Sequence, residues 1–130
     1  VIAALFVCLV LYVPRKKMTF DEFQKGCLRT ASGVTAATKE NMLLNGILGA
    51  AGESGELADL IKKELFQGHP HDRDHYIKEC GDVLYYLALI AESLGTTLEN
   101  VAITNNRKLW ERYPNGFEAD KSLHRKEGDI

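Results

Sequence analysis

Apolar residues recur at helical spacing along most of the chain that follows Met18, and short segments rich in Gly, Pro, Ser and Thr separate the apolar stretches. A half-buried strand would instead show alternation of apolar and polar residues with many β-branched side chains, and no stretch sustains that alternation. The pattern predicts an all-α domain with four main helices.

Capping and helix-breaking residues mark the ends of these helices. Thr19 precedes Glu22 by three residues, which is the spacing of a capping box at the start of a first helix. Thr96 and Glu99 repeat this spacing before the fourth helix, and Gly-His-Pro at 68–70 ends the second. The predicted helices span about residues 19–30, 39–66, 72 or 74 to 94, and 96–112.

Two acidic pairs lie inside otherwise apolar stretches of the second and third predicted helices. They are Glu53 with Glu56, and Glu79 with Asp82. Residues three apart share one face of a helix, so two such helices side by side would bring four carboxylates together. Like charges at such distances repel unless cations lie between them. Glu79 and Asp82 also interrupt a helix that is apolar around most of its circumference, where an unpaired charge is costly.

A single acidic pair of this spacing is common on solvated helices and would indicate surface residues. The second pair changes that interpretation, because 22 residues separate Glu56 from Glu79, enough to end one helix, turn and return antiparallel. No Glu-x-x-His motif is present, which argues against a di-iron site. Ligation by oxygen alone suits Mg²⁺, with Mn²⁺ as a substitute.

Three polar residues of the fourth helix share the side that carries its apolar residues. Asn105, Lys108 and Arg112 continue the row that contains Leu98 and Leu109. They could close over the acidic residues or over anionic groups bound there. Alternatively, long basic side chains near a helix end lie along apolar surface and interact with the helix dipole.

Four glycines follow one another at intervals of three residues in the second helix, although each costs roughly 1 kcal/mol relative to Ala. Close approach of another helix, in the same chain or across a subunit interface, would offset this cost. Room for a ligand beside Glu53 would do the same. The sequence does not choose between these explanations for Gly46, Gly49, Gly52 and Gly55.

The charge balance argues against a nucleic-acid-binding domain, which needs a basic surface. The net charge is −2, and without Arg15, Lys16 and Lys17 the remaining 13 basic and 18 acidic residues give −5. Three widely spaced cysteines without a C-x-x-C motif indicate neither a disulfide framework nor a zinc site, so we expect a reducing, cytoplasmic setting. A length of 130 residues with 45% hydrophobic content suits one compact domain.

The apolar run at 1–13 and the basic cluster after it differ from the rest of the chain. The run is shorter than the roughly 20 residues of a membrane-spanning helix, and a signal peptide would carry its charges before the run. We interpret residues 1–17 as an extension foreign to the domain, with Met18 as the natural start; the alternative is the remnant of a membrane anchor. The domain itself is expected at 18–117 and a polar, loosely held tail at 118–130.

With both acidic pairs in place, the chain resembles the MazG-like nucleoside triphosphate pyrophosphohydrolases over residues 18–117. Asn105, Lys108 and Arg112, followed by Tyr-Pro-Asn-Gly-Phe at 113–117, add to the resemblance. Members of this all-α superfamily fold as four-helix bundles, associate as dimers or tetramers, and cleave nucleoside triphosphates to the monophosphate and pyrophosphate. The resemblance therefore implies a bundle completed by oligomerisation, a nucleoside triphosphate substrate and a role in clearing nucleotide pools.

The E-x-x-E and E-x-x-D motifs of that superfamily coincide with the two acidic pairs. The resemblance thus implies that Mg²⁺ is held by Glu53, Glu56, Glu79 and Asp82. The bound ions would bridge triphosphate oxygens and orient a water, and either Glu53 or Glu56 would take the proton of that water.

Substrate contacts are expected from residues on the third and fourth helices. Lys108 and Arg112, together with Asn105, would steady the phosphates or the departing pyrophosphate. Tyr86, one turn beyond Asp82, would contact the sugar or the base, and packing in the core is an equal alternative.

Two other classes of function stay open. A helical interaction module would use the same apolar faces for a partner and would not bind Mg²⁺. An HD-type metal phosphohydrolase would depend on His71 and Asp72, although no second His-Asp pair accompanies them and both residue types are common in turns and caps. His75 lies on the Asp82 side of the third helix and could contact a metal ligand or a substrate.

Overall fold

The computed structural model describes residues 17–125 and residue 128. This part of the chain has no β-strand beyond an isolated bridge between Pro114 and Gly116, so the all-α prediction is confirmed. The predicted extension lies outside the described residues apart from Lys17, and the tail includes a short helix. The helices are α1 (Phe20–Leu28), α2 (Gly33–Ala36), α3 (Lys39–Gln67), α4 (Arg73–Ser93), α5 (Leu98–Arg112) and α6 (Ala119–Leu123).

Capping residues fix the helix ends as the sequence pattern indicates. The Thr19 hydroxyl accepts from the Glu22 N–H and the Glu22 carboxylate accepts from the Thr19 N–H, each at 3.1 Å, which completes the capping box. Gly68 ends α3 in the left-handed conformation, at φ 72°. The cap of α5 is Thr97, one residue later than the expected Thr96, because the Thr97 hydroxyl accepts from the Asn100 N–H at 3.0 Å.

The longest helices, α3 and α4, form an antiparallel hairpin closed by a five-residue turn, and their mutual contact is the most extensive among the described helices. Glycines allow the close approach. A Cβ atom at Gly46 would lie 2.6 Å from Cγ1 of Ile90 and 3.1 Å from the backbone oxygen of Tyr86, and the Tyr86 ring occupies the corresponding space at Gly49. Helix packing within the chain therefore explains these two glycines, whereas Gly52 faces open space.

A small core lies where α1, α4 and α5 meet. Partly buried Phe23, Leu84 and Tyr85 pack against it. Small side chains on α4 let α1 and α5 approach that helix closely. The buried residues of this core are Cys27, Ala88, Ala91 and Leu98.

Gln24 connects three parts of this core through its side-chain amide, which is buried. Its oxygen accepts from the Leu98 N–H at 2.8 Å, and its nitrogen donates to the Glu92 carboxylate at 2.9 Å and to the Thr96 carbonyl at 3.1 Å. The Leu98 N–H belongs to the first turn of α5 and has no acceptor within its own helix. The Gln24 side chain of α1 thus accepts a hydrogen bond from the first turn of α5 and donates one to the end of α4, which connects the three helices.

Apolar surface on α3, α4 and α5 remains uncovered in the single chain. Apolar residues lie around most of the circumference of α4, yet Ile77 is 52% exposed and Leu87 is also exposed. Leu48 of α3 is 71% exposed, and Trp110 of α5 is exposed as well. One side of α4 is covered within the chain and the other is not. Among the described helices, none combines the length and hydropathy needed to cross a bilayer.

Candidate metal centre

The acidic residues of α3 and α4 converge beyond the glycine contact, towards the turn of the hairpin. One carboxylate oxygen from each of Glu53, Glu79 and Asp82 lies within 4.8 Å of the other two. Glu79 and Asp82 are three residues apart on α4, and Glu53 faces them from α3. The two helices run antiparallel, so residues near the end of α3 lie opposite residues near the start of α4. This arrangement brings the acidic residues together.

Negative charge accumulates around Glu53, whose side chain is half-buried. Partial burial raises the pKa of this carboxyl above its ordinary value of 4.5, and the charges of Asp82, Glu79 and Glu56 raise it further, in that order. The charged groups that shift this pKa are all carboxylates. A cation placed among them would relieve the repulsion, so the arrangement favours binding of a positive ion.

Glu56 takes a different position from the other three acidic residues. Glu56 is exposed, as Asp82 also is, but unlike Asp82 it lies outside the group whose oxygens approach within 4.8 Å of one another. Its charge still contributes to the raised pKa of Glu53, three residues earlier on the same helix. Its assignment as a metal ligand stays a prediction.

Glu79 has a hydrogen-bond partner on its own helix. Nε2 of His75, one turn earlier, lies 3.0 Å from Oε1 of Glu79, whose side chain is 15% exposed. The His75 backbone N–H donates to Oδ1 of Asp72 at 3.0 Å, which caps the start of α4. The imidazole therefore extends from a helical turn whose backbone is held in place.

The donor set of the three converging carboxylates fits a hard divalent cation. Mg²⁺ is usually held in proteins by one or a few carboxylates together with water and substrate phosphates, and Mn²⁺ accepts the same ligands. The group offers oxygen donors only, with neither sulfur nor imidazole nitrogen among them. Glu53, Glu79 and Asp82 could therefore hold such an ion while leaving coordination positions for phosphate oxygens.

Residues 43–117 match the MazG nucleotide pyrophosphohydrolase domain. The chain belongs to the MazG family. It is also similar to the gene 37 protein of Mycobacterium phage L5, with 36% identity over 73 residues that cover 53% of this chain and 64% of that protein. The chain thus spans slightly less than two thirds of the length of this relative. No solved structure gives a significant match.

The matched MazG segment includes Tyr86, which the sequence assigns to substrate binding or to packing. Its half-buried ring fills the space over Gly49 and meets the Tyr85 ring edge-on, with 5.1 Å between centroids. This contact gives the ring a packing role in the hairpin. A contact with the sugar or base stays a prediction.

The other expected substrate contacts of this MazG domain lie on α5. Asn105 and Lys108 are exposed. Arg112 is half-buried at the end of the helix, and its guanidinium carbon lies 5.8 Å from the centroid of the Tyr113 ring. α5 packs against α1 and α4. The assignment of these side chains to phosphate binding stays a prediction.

Sequence reasoning missed a hydrogen-bond network at the turn between α3 and α4. Oε2 of Glu64 accepts from the Tyr76 hydroxyl at 3.1 Å and lies 2.9 Å from Nδ1 of His71, and the His71 and Tyr76 rings stack at 5.3 Å. The bond with His71 is the main cause that lowers the pKa of Glu64. His71 thus has a structural partner at the turn, and Asp72 is the cap of α4.

Proposed function

We propose that the protein hydrolyses nucleoside or deoxynucleoside triphosphates to the monophosphate and pyrophosphate, with Mg²⁺ bound at the acidic group. The observation that carries this proposal is the convergence of Glu53, Glu79 and Asp82 within 4.8 Å, inside the segment that matches the MazG domain. Glu56 completes the ligand set by turning toward the same ion. The role we assign is the clearing of nucleotide pools in a reducing, cytoplasmic setting. The free thiols of Cys27 and Cys80 support the reducing setting.

The carboxylates and the basic residues of α5 have complementary roles in this reaction. Bound Mg²⁺ supplies neutralisation of the triphosphate charge and polarisation of the phosphoryl group. Glu53 or Glu56 accepts the proton of the attacking water. The oxygen of that water bonds to phosphorus while the bond between the α and β phosphates breaks, and pyrophosphate leaves.

Substrate binding completes the proposal. Lys108 and Arg112 donate to phosphate oxygens and to the departing pyrophosphate, with Asn105 beside them on α5. Tyr86 contacts the sugar or base with the part of its ring that does not lie against Gly49.

The active form in this proposal is a homodimer or a dimer of dimers. Exposed apolar side chains on α3, α4 and α5, among them Leu48, Ile77 and Trp110, support it, since a second copy would remove them from water. Sedimentation at micromolar concentration tests this part: a fully active species that stays monomeric would exclude it.

The main experiment measures Mg²⁺ binding and pyrophosphate release on matched variants. A panel of nucleoside triphosphates identifies the preferred substrate of the wild-type protein. Glu53→Gln and Asp82→Asn should then weaken Mg²⁺ binding in titration calorimetry and lower kcat. Asp74→Asn is the control, because Asp74 lies on the same helix as Asp82 and is exposed like it, but is outside the acidic group. Wild-type Mg²⁺ affinity in both site variants would refute the metal-centre assignment.

A further inference from the structure

We propose that His75 is a positioning residue for the metal centre, holding the carboxylate of Glu79 in the orientation that a divalent cation requires. This inference rests on the proposed function and extends it to a residue outside the acidic motifs. The observation is the 3.0 Å hydrogen bond between Nε2 of His75 and Oε1 of Glu79.

The direction of this hydrogen bond follows from the chemistry of its two partners. An ionised carboxylate only accepts hydrogen bonds, so Nε2 of His75 carries the hydrogen and donates to Oε1 of Glu79. A neutral imidazole with its proton on Nε2 can donate this bond, and so can the cationic form. The contact therefore needs no particular charge on His75.

The contact leaves the carboxylate able to bind a metal. A carboxylate offers about four lone-pair positions, and His75 occupies one of those on Oε1. The other oxygen of Glu79 and the remaining lone pair of Oε1 stay available for a metal ion. A glutamate side chain has three rotatable bonds, and one fixed oxygen restricts all of them, so less freedom is lost when the ion binds.

The position of His75 in α4 makes it suitable as a support. Its backbone N–H is bound by Asp72 at the helix cap, and the spacing of four residues places its ring one turn before Glu79. The imidazole is 46% exposed while the Glu79 side chain is 15% exposed, so the ring lies at the solvent side of the carboxylate. It holds Glu79 from outside without displacing the two other carboxylates.

Calorimetric titration with Mg²⁺ alone, without nucleotide, tests the inference on His75→Ala and His75→Gln. Loss of an outer hydrogen-bond partner typically weakens metal binding about 10- to 100-fold, and we expect this for His75→Ala. The Gln variant keeps an N–H donor and should recover most of the affinity. His71→Ala is the matched control, because His71 also pairs with a glutamate, Glu64, at 2.9 Å on the same hairpin but outside the acidic group.

Kinetics and a double variant separate positioning from a merely structural role. The Mg²⁺ concentration for half-maximal activity should rise in His75→Ala, while kcat at saturating Mg²⁺ stays near wild type. In a Glu79→Gln background, His75→Ala should weaken Mg²⁺ binding no further, because the carboxylate it would orient is gone.

Three outcomes would overturn the inference. The first is unchanged Mg²⁺ affinity in His75→Ala. The second is equal weakening in the Ala and Gln variants together with a lowered thermal midpoint of both metal-free proteins. The third is additive effects of the His75 and Glu79 changes. Failure of the proposed function would look different, since the wild-type protein itself would then neither bind Mg²⁺ nor release pyrophosphate.

Discussion

The glycine contact between α3 and α4 yields a prediction in which two Gly→Ala changes on one helix have opposite effects. At Gly46 the new Cβ would lie 2.6 Å from Cγ1 of Ile90, and also 3.1 Å from the backbone oxygen of Tyr86 and 3.2 Å from the backbone nitrogen of Ile90. Rotation of a side chain cannot relieve the last two contacts, so the helices must separate. At Gly52, less than two turns later, nothing lies within 4 Å.

The magnitudes follow from two opposing effects of the added methyl group. Replacement of Gly by Ala inside a helix stabilises by about 1 kcal/mol at either position. Overpacking costs about 1–3 kcal/mol, and contact with backbone places Gly46 near the upper end. We expect Gly46→Ala to destabilise by about 2 kcal/mol and Gly52→Ala to stabilise by about 1 kcal/mol. For a domain of about 100 residues this corresponds to a midpoint roughly 10 °C lower and roughly 5 °C higher.

Thermal unfolding of the metal-free protein, followed by circular dichroism at one protein concentration, measures both variants against wild type. Urea unfolding gives the free energies independently of the midpoint. The difference between the two variants isolates the packing cost, because the helix-propensity gain is common to both. If Gly46→Ala is as stable as Gly52→Ala, the close approach of α3 and α4 at this position is refuted.

Three further predictions concern other parts of the molecule. Gln24→Leu should destabilise by about 1–3 kcal/mol in urea unfolding, because the buried Leu98 N–H loses its acceptor; wild-type stability would contradict the capping role. Glu64→Gln should lower the midpoint at pH 7. The pKa of Glu64 is lowered in the folded protein, so the ionised carboxylate stabilises the fold above the ordinary pKa of 4.5, and this stabilisation is lost as the pH falls through the folded-state pKa. The difference in midpoint between Glu64→Gln and wild type should therefore shrink in acid. A difference that does not change with pH would contradict this. Lys108→Ala and Arg112→Ala should mainly lower kcat/KM with little change in the thermal midpoint. A lowered midpoint with unchanged kcat/KM would show that both residues have a structural role.

Local signals in the sequence were sufficient to predict the four long helices and the meeting of Glu53 with Glu79 and Asp82, but not the short helices α2 and α6. The bounds of α3 agree with the prediction within one residue, because Gly68 ends the helix by adopting a conformation that few other residues tolerate. The convergence of Glu53 with Glu79 and Asp82 required only the spacing within each pair and a connection short enough to reverse the chain.

Contacts set by the relative rotation of helices could not be predicted in the same way. Periodicity places four glycines along α3, but only the crossing of α3 over α4 decides that Gly46 and Gly49 are covered while Gly52 is not. The bond between Gln24 and Leu98 joins residues 74 positions apart, and no local pattern encodes such a pair. The sequence offers two adjacent threonines, Thr96 and Thr97, as the cap of α5. The local pattern favours Thr96, whereas Thr97 is the cap in the structure.

The hairpin of α3 and α4 has a consequence for how the protein folds. Closing its five-residue turn costs little chain entropy, so this contact is expected to form early, whereas α1 must reach α5 across most of the chain. Early closure of the hairpin brings Glu53, Glu79 and Asp82 together before the remaining helices have docked. Their repulsion then opposes the transition state for folding, and a divalent cation that binds them relieves it. We therefore expect Mg²⁺ to accelerate folding itself, in addition to slowing unfolding.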